Sequence, residues 1–103
     1  MKKLFIASIT ATLLFSASAY SAGSTHAAPA SAASCSGCHG ADGNSVVPNF
    51  PNLAGQHAAY IEKQLKDFRE GYRKDATMAP FAKSLTDADI KELAAFYAAQ
   101  PAK

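Results

Sequence analysis

The sequence predicts an all-α fold, three to four helices joined by long loops. Three observations carry that reading. Two segments in the second half repeat apolar residues at helical spacing, alternating strand patterns are absent after the N-terminal apolar stretch, and Gly40 to Gln56 is punctuated by glycine, asparagine and proline. With 103 residues and nearly half of them apolar, a single domain is the natural unit.

The chain opens on Met1, Lys2 and Lys3, followed by an apolar run from Leu4 to Phe15 broken only by Ser8, Thr10 and Thr12. This is the charged and apolar order of a secretory signal, too short for a comfortable membrane span. Ala17-Ser18-Ala19 fits the small-residue cleavage pattern, so residues 1–19 are read as the signal, with cleavage possible up to about residue 28. The signal holds two of the ten basic residues, which leaves eight against eight acidic ones, and the basic balance that nucleic-acid binding needs disappears.

Residues 20–34 are mostly alanine and serine, a linker running into a short N-terminal helix with Pro29 tolerable in its first turn. The main domain is read as 35–103, beginning near residue 29. Asp42-Gly43-Asn44 and Pro48-Asn49-Phe50-Pro51-Asn52 then predict a surface-hugging irregular loop. From Ala58 to Glu70 the residues Ile61, Leu65 and Phe68 form a helical stripe that Tyr72 is expected to continue, with Gly71 as the C-terminal cap. Glu62–Lys66 and Lys63–Asp67 stand four apart on the polar face. A further helix starts at Thr86, whose hydroxyl can cap the amide near Asp89, and buries Ile90, Leu93, Ala94 and Tyr97, with Phe96 widening the face, before Pro101 ends it.

After the signal, roughly 75 to 84 residues remain, a size at which one core supplies little net stability and a staple is usually required. Long loops in so small a chain likewise need something to fold around.

Cys35-Ser36-Gly37-Cys38-His39 supplies it: a C-x-x-C-H segment in an exported chain. Each thiol can add to one vinyl group of haem, the two-residue spacing sets both sulfurs along one porphyrin edge, and the adjacent imidazole reaches the iron. A structural disulfide, a thioredoxin-type redox pair and a zinc site are the competing readings. The βαβ surroundings of a thioredoxin site are missing, so short a disulfide loop adds little stability, and zinc lacks a fourth ligand.

The sixth iron position has one thioether candidate outside the signal, Met78, in the loop between the two stronger helices and beside Pro80. Methionine is also ordinary core filler. His26 and His57 compete for the position, and each also reads as a solvated or capping histidine. If His39 and Met78 both bind, the iron is closed to substrates, which points to electron transfer rather than to an enzyme.

These residues resemble the class I cytochromes c, in particular the small monohaem bacterial c-553 type and the single-haem halves of the diheme c-4 type. The resemblance runs in order through Cys35 to Gly40, Pro51-Asn52-Leu53-Ala54-Gly55-Gln56, Gln64-Leu65 and Phe68 up to Gly71, then Met78, Leu85-Thr86-Asp87 and the last helix. It implies the class I cytochrome c fold around one covalent haem c. It also implies that the Pro51 carbonyl accepts a hydrogen bond from His39, that Leu53 packs on the haem, and that the terminal helices cross, with Ala32 and Ala33 offered to Phe96 or Tyr97. The diheme relatives carry two such units, and this sequence has one C-x-x-C-H.

The expected function is a periplasmic carrier passing single electrons between redox proteins met transiently, with no small-molecule substrate and membrane contact only through partner complexes. The alternative is the haem-bearing subunit of a periplasmic dehydrogenase or oxidase; a haem-free thiol protein is the third reading. Lys63, Lys66, Arg69, Arg73, Lys74 and Lys83 are candidates for steering partners, although Glu62, Asp67 and Glu70 interleave them as on any solvated helix face.

Overall fold

A computed structural model describes residues 11–12 and 27–103. The signal read over residues 1–19 falls almost wholly outside the described residues, as does His26. The described residues hold four α-helices and no strand: α1 (Ala33–His39), α2 (Ala58–Glu70), α3 (Met78–Lys83) and α4 (Asp87–Ala98). No helix among them is long and apolar enough to cross a membrane.

Pro29, with its fixed φ, opens a 3₁₀ turn over Ala30–Ala32 that runs directly into α1. Ala32 is buried in one cluster with Phe96 and Tyr97, where the first and last helical segments among residues 27–103 meet. Ala33, expected to share that contact, is exposed, because one residue further along the turn points the side chain away.

The loop from Gly40 to His57 is held by its own polar groups. The Gly43 carbonyl accepts from the amides of Leu53 (2.7 Å) and Ala54 (3.1 Å), and Asn52 Oδ1 accepts from the Ser45 amide at 2.8 Å. Gly43 has φ +82°, and a Cβ there would stand 2.8 Å from both the Ala54 amide nitrogen and Tyr97 Cδ1. Only glycine lets the loop lie against α4 at this point. The chain beyond α4 returns over the loop: Asn44 Nδ2 donates to the Pro101 carbonyl at 3.1 Å, and Lys103 Nζ pairs with Asp42 at 2.9 Å.

In α2, Ile61 and Phe68 are buried and Leu65 packs at the edge of the core, while Lys63–Asp67 and Glu62–Lys66 pair along the outside. Gly71 ends the helix in the left-handed conformation (φ +85°). That turn corrects the expectation for Tyr72: the stripe stops at Phe68, and Tyr72 is 82% exposed because the chain has left the helical path.

Met78, expected in a loop, instead opens α3. Asp75 builds this helix start by accepting from the amides of Thr77 (2.9 Å) and Met78 (2.8 Å), and Pro80 sits in the first turn, where no backbone donor is needed. In α4, Thr86 and Asp89 exchange hydrogen bonds as a capping box, and Ile90, Leu93, Ala94, Phe96 and Tyr97 are buried. Arg69 ties α2 to the start of α4, reaching the Leu85 carbonyl at 3.1 Å and Asp87 at 2.7 Å.

Candidate functional site

One turn of helix brings the reactive side chains together. Cys35, Cys38 and His39 stand at i, i+3 and i+4 of α1, which places them on a single face, and all three line one cavity of about 400 Å³. Both cysteines are free thiols and partly buried.

His39 is 5% exposed, and its ring is fixed from the loop: Nδ1 lies 2.8 Å from the Pro51 carbonyl oxygen. A carbonyl can only accept, so Nδ1 carries the proton and Nε2 keeps its lone pair. Nε2 has no hydrogen-bond partner among the described residues. The proline that anchors the ring belongs to the loop whose course Gly43 and Asn52 determine, so loop and helix set the imidazole jointly.

Met78 reaches the same cavity from α3, and Leu53, Ile61, Leu65, Phe68 and Leu93 supply apolar wall from the loop, α2 and α4. His57 does not line it; it occupies the position before α2, is exposed, and its side chain makes no capping bond. Of Met78 and His57, Met78 lines the cavity and His57 does not.

Two further residues line the cavity that periodicity and motif did not place there. Arg73, grouped in the sequence with steering cations, is the one Lys or Arg side chain on the cavity wall among the described residues. Its guanidinium lies 4.5 Å above the Phe68 ring centre, and Nη1 donates to Gln64 Oε1 at 2.7 Å. Tyr97, read as core, also lines the cavity, and its buried hydroxyl has no hydrogen-bond partner. Burial, and after it the neighbouring Cys35 thiol, push that hydroxyl well above the ordinary tyrosine pKa. Of the other cations, Lys63, Lys66 and Arg69 are engaged by carboxylates on or beside α2, as on a solvated helix face.

The residues present fit a covalent haem. Two free thiols on one face, an imidazole with an available Nε2, a thioether on a different element and apolar walls meet in one cavity, whereas three of the four donors a zinc site requires are neighbours on a single turn. No group of three or more His, Cys, Asp and Glu residues is arranged to hold a metal ion by itself among the described residues.

Comparison with known proteins gives a consistent picture. The family model described as cytochrome c matches residues 24–98. Cytochrome c4 of Pseudomonas aeruginosa is 44% identical over 100 residues, which cover 97% of this chain and 49% of that protein. The thiosulfate dehydrogenase electron acceptor of Stutzerimonas stutzeri is 47% identical over 53 residues, 52% of this chain and 24% of that one. Among solved structures, the cytochrome c4 of Acidithiobacillus ferrooxidans superposes with a TM-score of 0.60 at 43% identity, over 63% of this chain and 37% of the other. The chain thus spans half or less of the length of each of these three relatives.

Proposed function

The chain belongs to the cytochrome c family and carries one covalent haem c, and on that premise we propose that it is a periplasmic single-electron carrier. The observation that supports this most directly is the gathering of Cys35, Cys38 and His39 on one cavity wall, with the His39 ring oriented by Pro51. The haem would supply the ferric–ferrous couple; the protein residues attach it, set its iron ligands and keep water from it.

In this reading Cys35 and Cys38 would hold the group through thioethers and His39 Nε2 would bind its iron. Hydrogen bonding at Nδ1 makes that nitrogen more basic and fixes the ring, so little rearranges when the charge on the iron changes. Met78 would supply a second donor to the iron and leave no place for a substrate there, which supports a carrier and not an enzyme. A thioether there also raises the reduction potential above that of a bis-histidine site. Leu53, Ile61 and Leu93 form a low-dielectric wall, and that environment disfavours the more highly charged ferric state.

The domain begins near residue 29, after the signal and linker, and the export signal of residues 1–19 supports the periplasmic location. Partners are other redox proteins. The similarity to a thiosulfate dehydrogenase electron acceptor supports a second reading, a haem-bearing subunit held to a dehydrogenase.

The test of the haem reading is the reduced-minus-oxidised visible spectrum of the exported protein, repeated on denatured chain after loose haem is extracted. Bands that stay with the polypeptide are expected, and a colourless chain refutes it. Purification from the native host separates the two roles: a protein that elutes alone is the free carrier, and one that elutes with a stoichiometric dehydrogenase is the subunit.

A further inference from the structure

Tyr97 is 2% exposed and its hydroxyl is fully buried without a hydrogen-bond partner. A buried hydroxyl without a partner is destabilising, so an orphan on a cavity wall points to a partner made available by the cavity's occupant. Its place on the wall narrows the choice. Tyr97 and Cys35 line the same cavity, and Cys35 packs against the core cluster to which Tyr97 belongs.

The Cys35 thiol is engaged elsewhere before attachment: its Sγ is 3.9 Å from the Ser31 carbonyl oxygen, to which S–H donates. Attachment to a vinyl group replaces that S–H bond and the vinyl π bond by a C–S and a C–H bond, with no oxidant or reductant required. The sulfur then has no hydrogen to donate and keeps its lone pairs, so it can act only as an acceptor. The same conversion frees the sulfur from Ser31, so that its lone pairs can turn to a neighbouring O–H.

We propose that the Tyr97 hydroxyl donates a hydrogen bond to the Cys35 thioether sulfur and thereby raises the reduction potential of the haem. The inference rests on the covalent-haem reading. Donation draws electron density from a sulfur one carbon away from the macrocycle, which favours the electron-rich ferrous state. Tyr97 is a positioning and tuning residue in this scheme and touches no iron ligand.

The experiment is a potentiometric titration of the holoprotein and of Tyr97→Phe, which keeps the ring and its packing. At the wild-type midpoint, the ferrous-to-ferric ratio of the variant should fall about twofold, with unchanged c-type bands and helical circular dichroism. Equal midpoints overturn the proposal and leave Tyr97 a packing residue. Proton NMR of the wild-type ferrous protein is the second measurement, independent of whether the variant assembles. It should show a slowly exchanging tyrosyl hydroxyl proton close to the Cys35 β-protons, and its absence overturns the proposal equally. A colourless wild-type chain would instead refute the haem reading, and the proposal with it, so the two failures are distinct.

Discussion

At the scale of single residues, the site divides into side chains that chemistry makes visible and side chains that only position reveals. The two thiols and His39 were legible because a five-residue segment specifies their shared function. Pro51 and Leu53 were legible through family resemblance alone, since nothing in a proline's own chemistry announces that its carbonyl will meet Nδ1 of His39 at 2.8 Å. Arg73 and Tyr97 were read by type, as a surface cation and a core aromatic, and both reach the cavity because of how the chain turns at Gly71 and packs at Gly43. Met78→Ala is expected to lower the reduction potential and let added imidazole bind the iron; an unchanged spectrum and potential would remove Met78 from the ligand set. Arg73→Met takes one positive charge from the cavity wall, which favours the ferric state and lowers the potential, whereas Arg73→Lys should retain part of the effect. Voltammetry of the three proteins at one ionic strength checks the order.

Among the elements, α2 and α4 announced themselves through apolar spacing and through Gly71 and Thr86 at their ends. The short helix α3 did not, because six residues give no usable periodicity, Pro80 lies inside it, and its amides are satisfied by Asp75, three positions before the helix begins. Thr86→Ala removes the hydroxyl that accepts from Asp89 and should cost about 1 kcal/mol in denaturant unfolding, with the haem bands unchanged. Gly43→Ala is far more damaging: it combines an unfavourable positive φ with contacts to Ala54 and Tyr97, and a loss of about 3 kcal/mol or more is expected in the same assay. The chain after α4 is sensitive to acid. The Lys103 ammonium, and then the Asn44 amides, hold the Asp42 carboxyl well below the usual carboxylate range. A depressed folded-state pKa means that the clamp is complete above that range and is lost as pH falls through it toward the depressed value. Protection of the Lys103 amide, its exchange rate taken relative to the intrinsic rate at each pH, should therefore fall on acidification, and Asp42→Asn should show the low protection already at neutral pH; identical protection in the two proteins would refute the clamp.

The molecule as a whole is organised around its cavity more than around a continuous apolar core. Ala32, Ile61, Leu93, Ala94, Phe96 and Tyr97 form the buried cluster, and Leu53, Leu65 and Cys35 that flank it are cavity wall as well. A chain with Cys35 and Cys38 both replaced by alanine should therefore keep part of its helical far-ultraviolet signal and lose its near-ultraviolet signal and cooperative unfolding. A haem-free variant that melts as sharply as the holoprotein would contradict this. The Tyr97 carbonyl accepts from the Gly55 amide at 3.0 Å, and the Tyr97 ring closes on Gly43, so the loop that carries Pro51 is locked by the final helix. Those two contacts fix an order in time. The cysteines leave the ribosome before the residues of α4, and until α4 is made the segment that bears them lacks the Leu93, Phe96 and Tyr97 side chains of its core cluster. The last helix is therefore the latch of the fold: it closes on the loop that carries Pro51 only after both thiols have emerged.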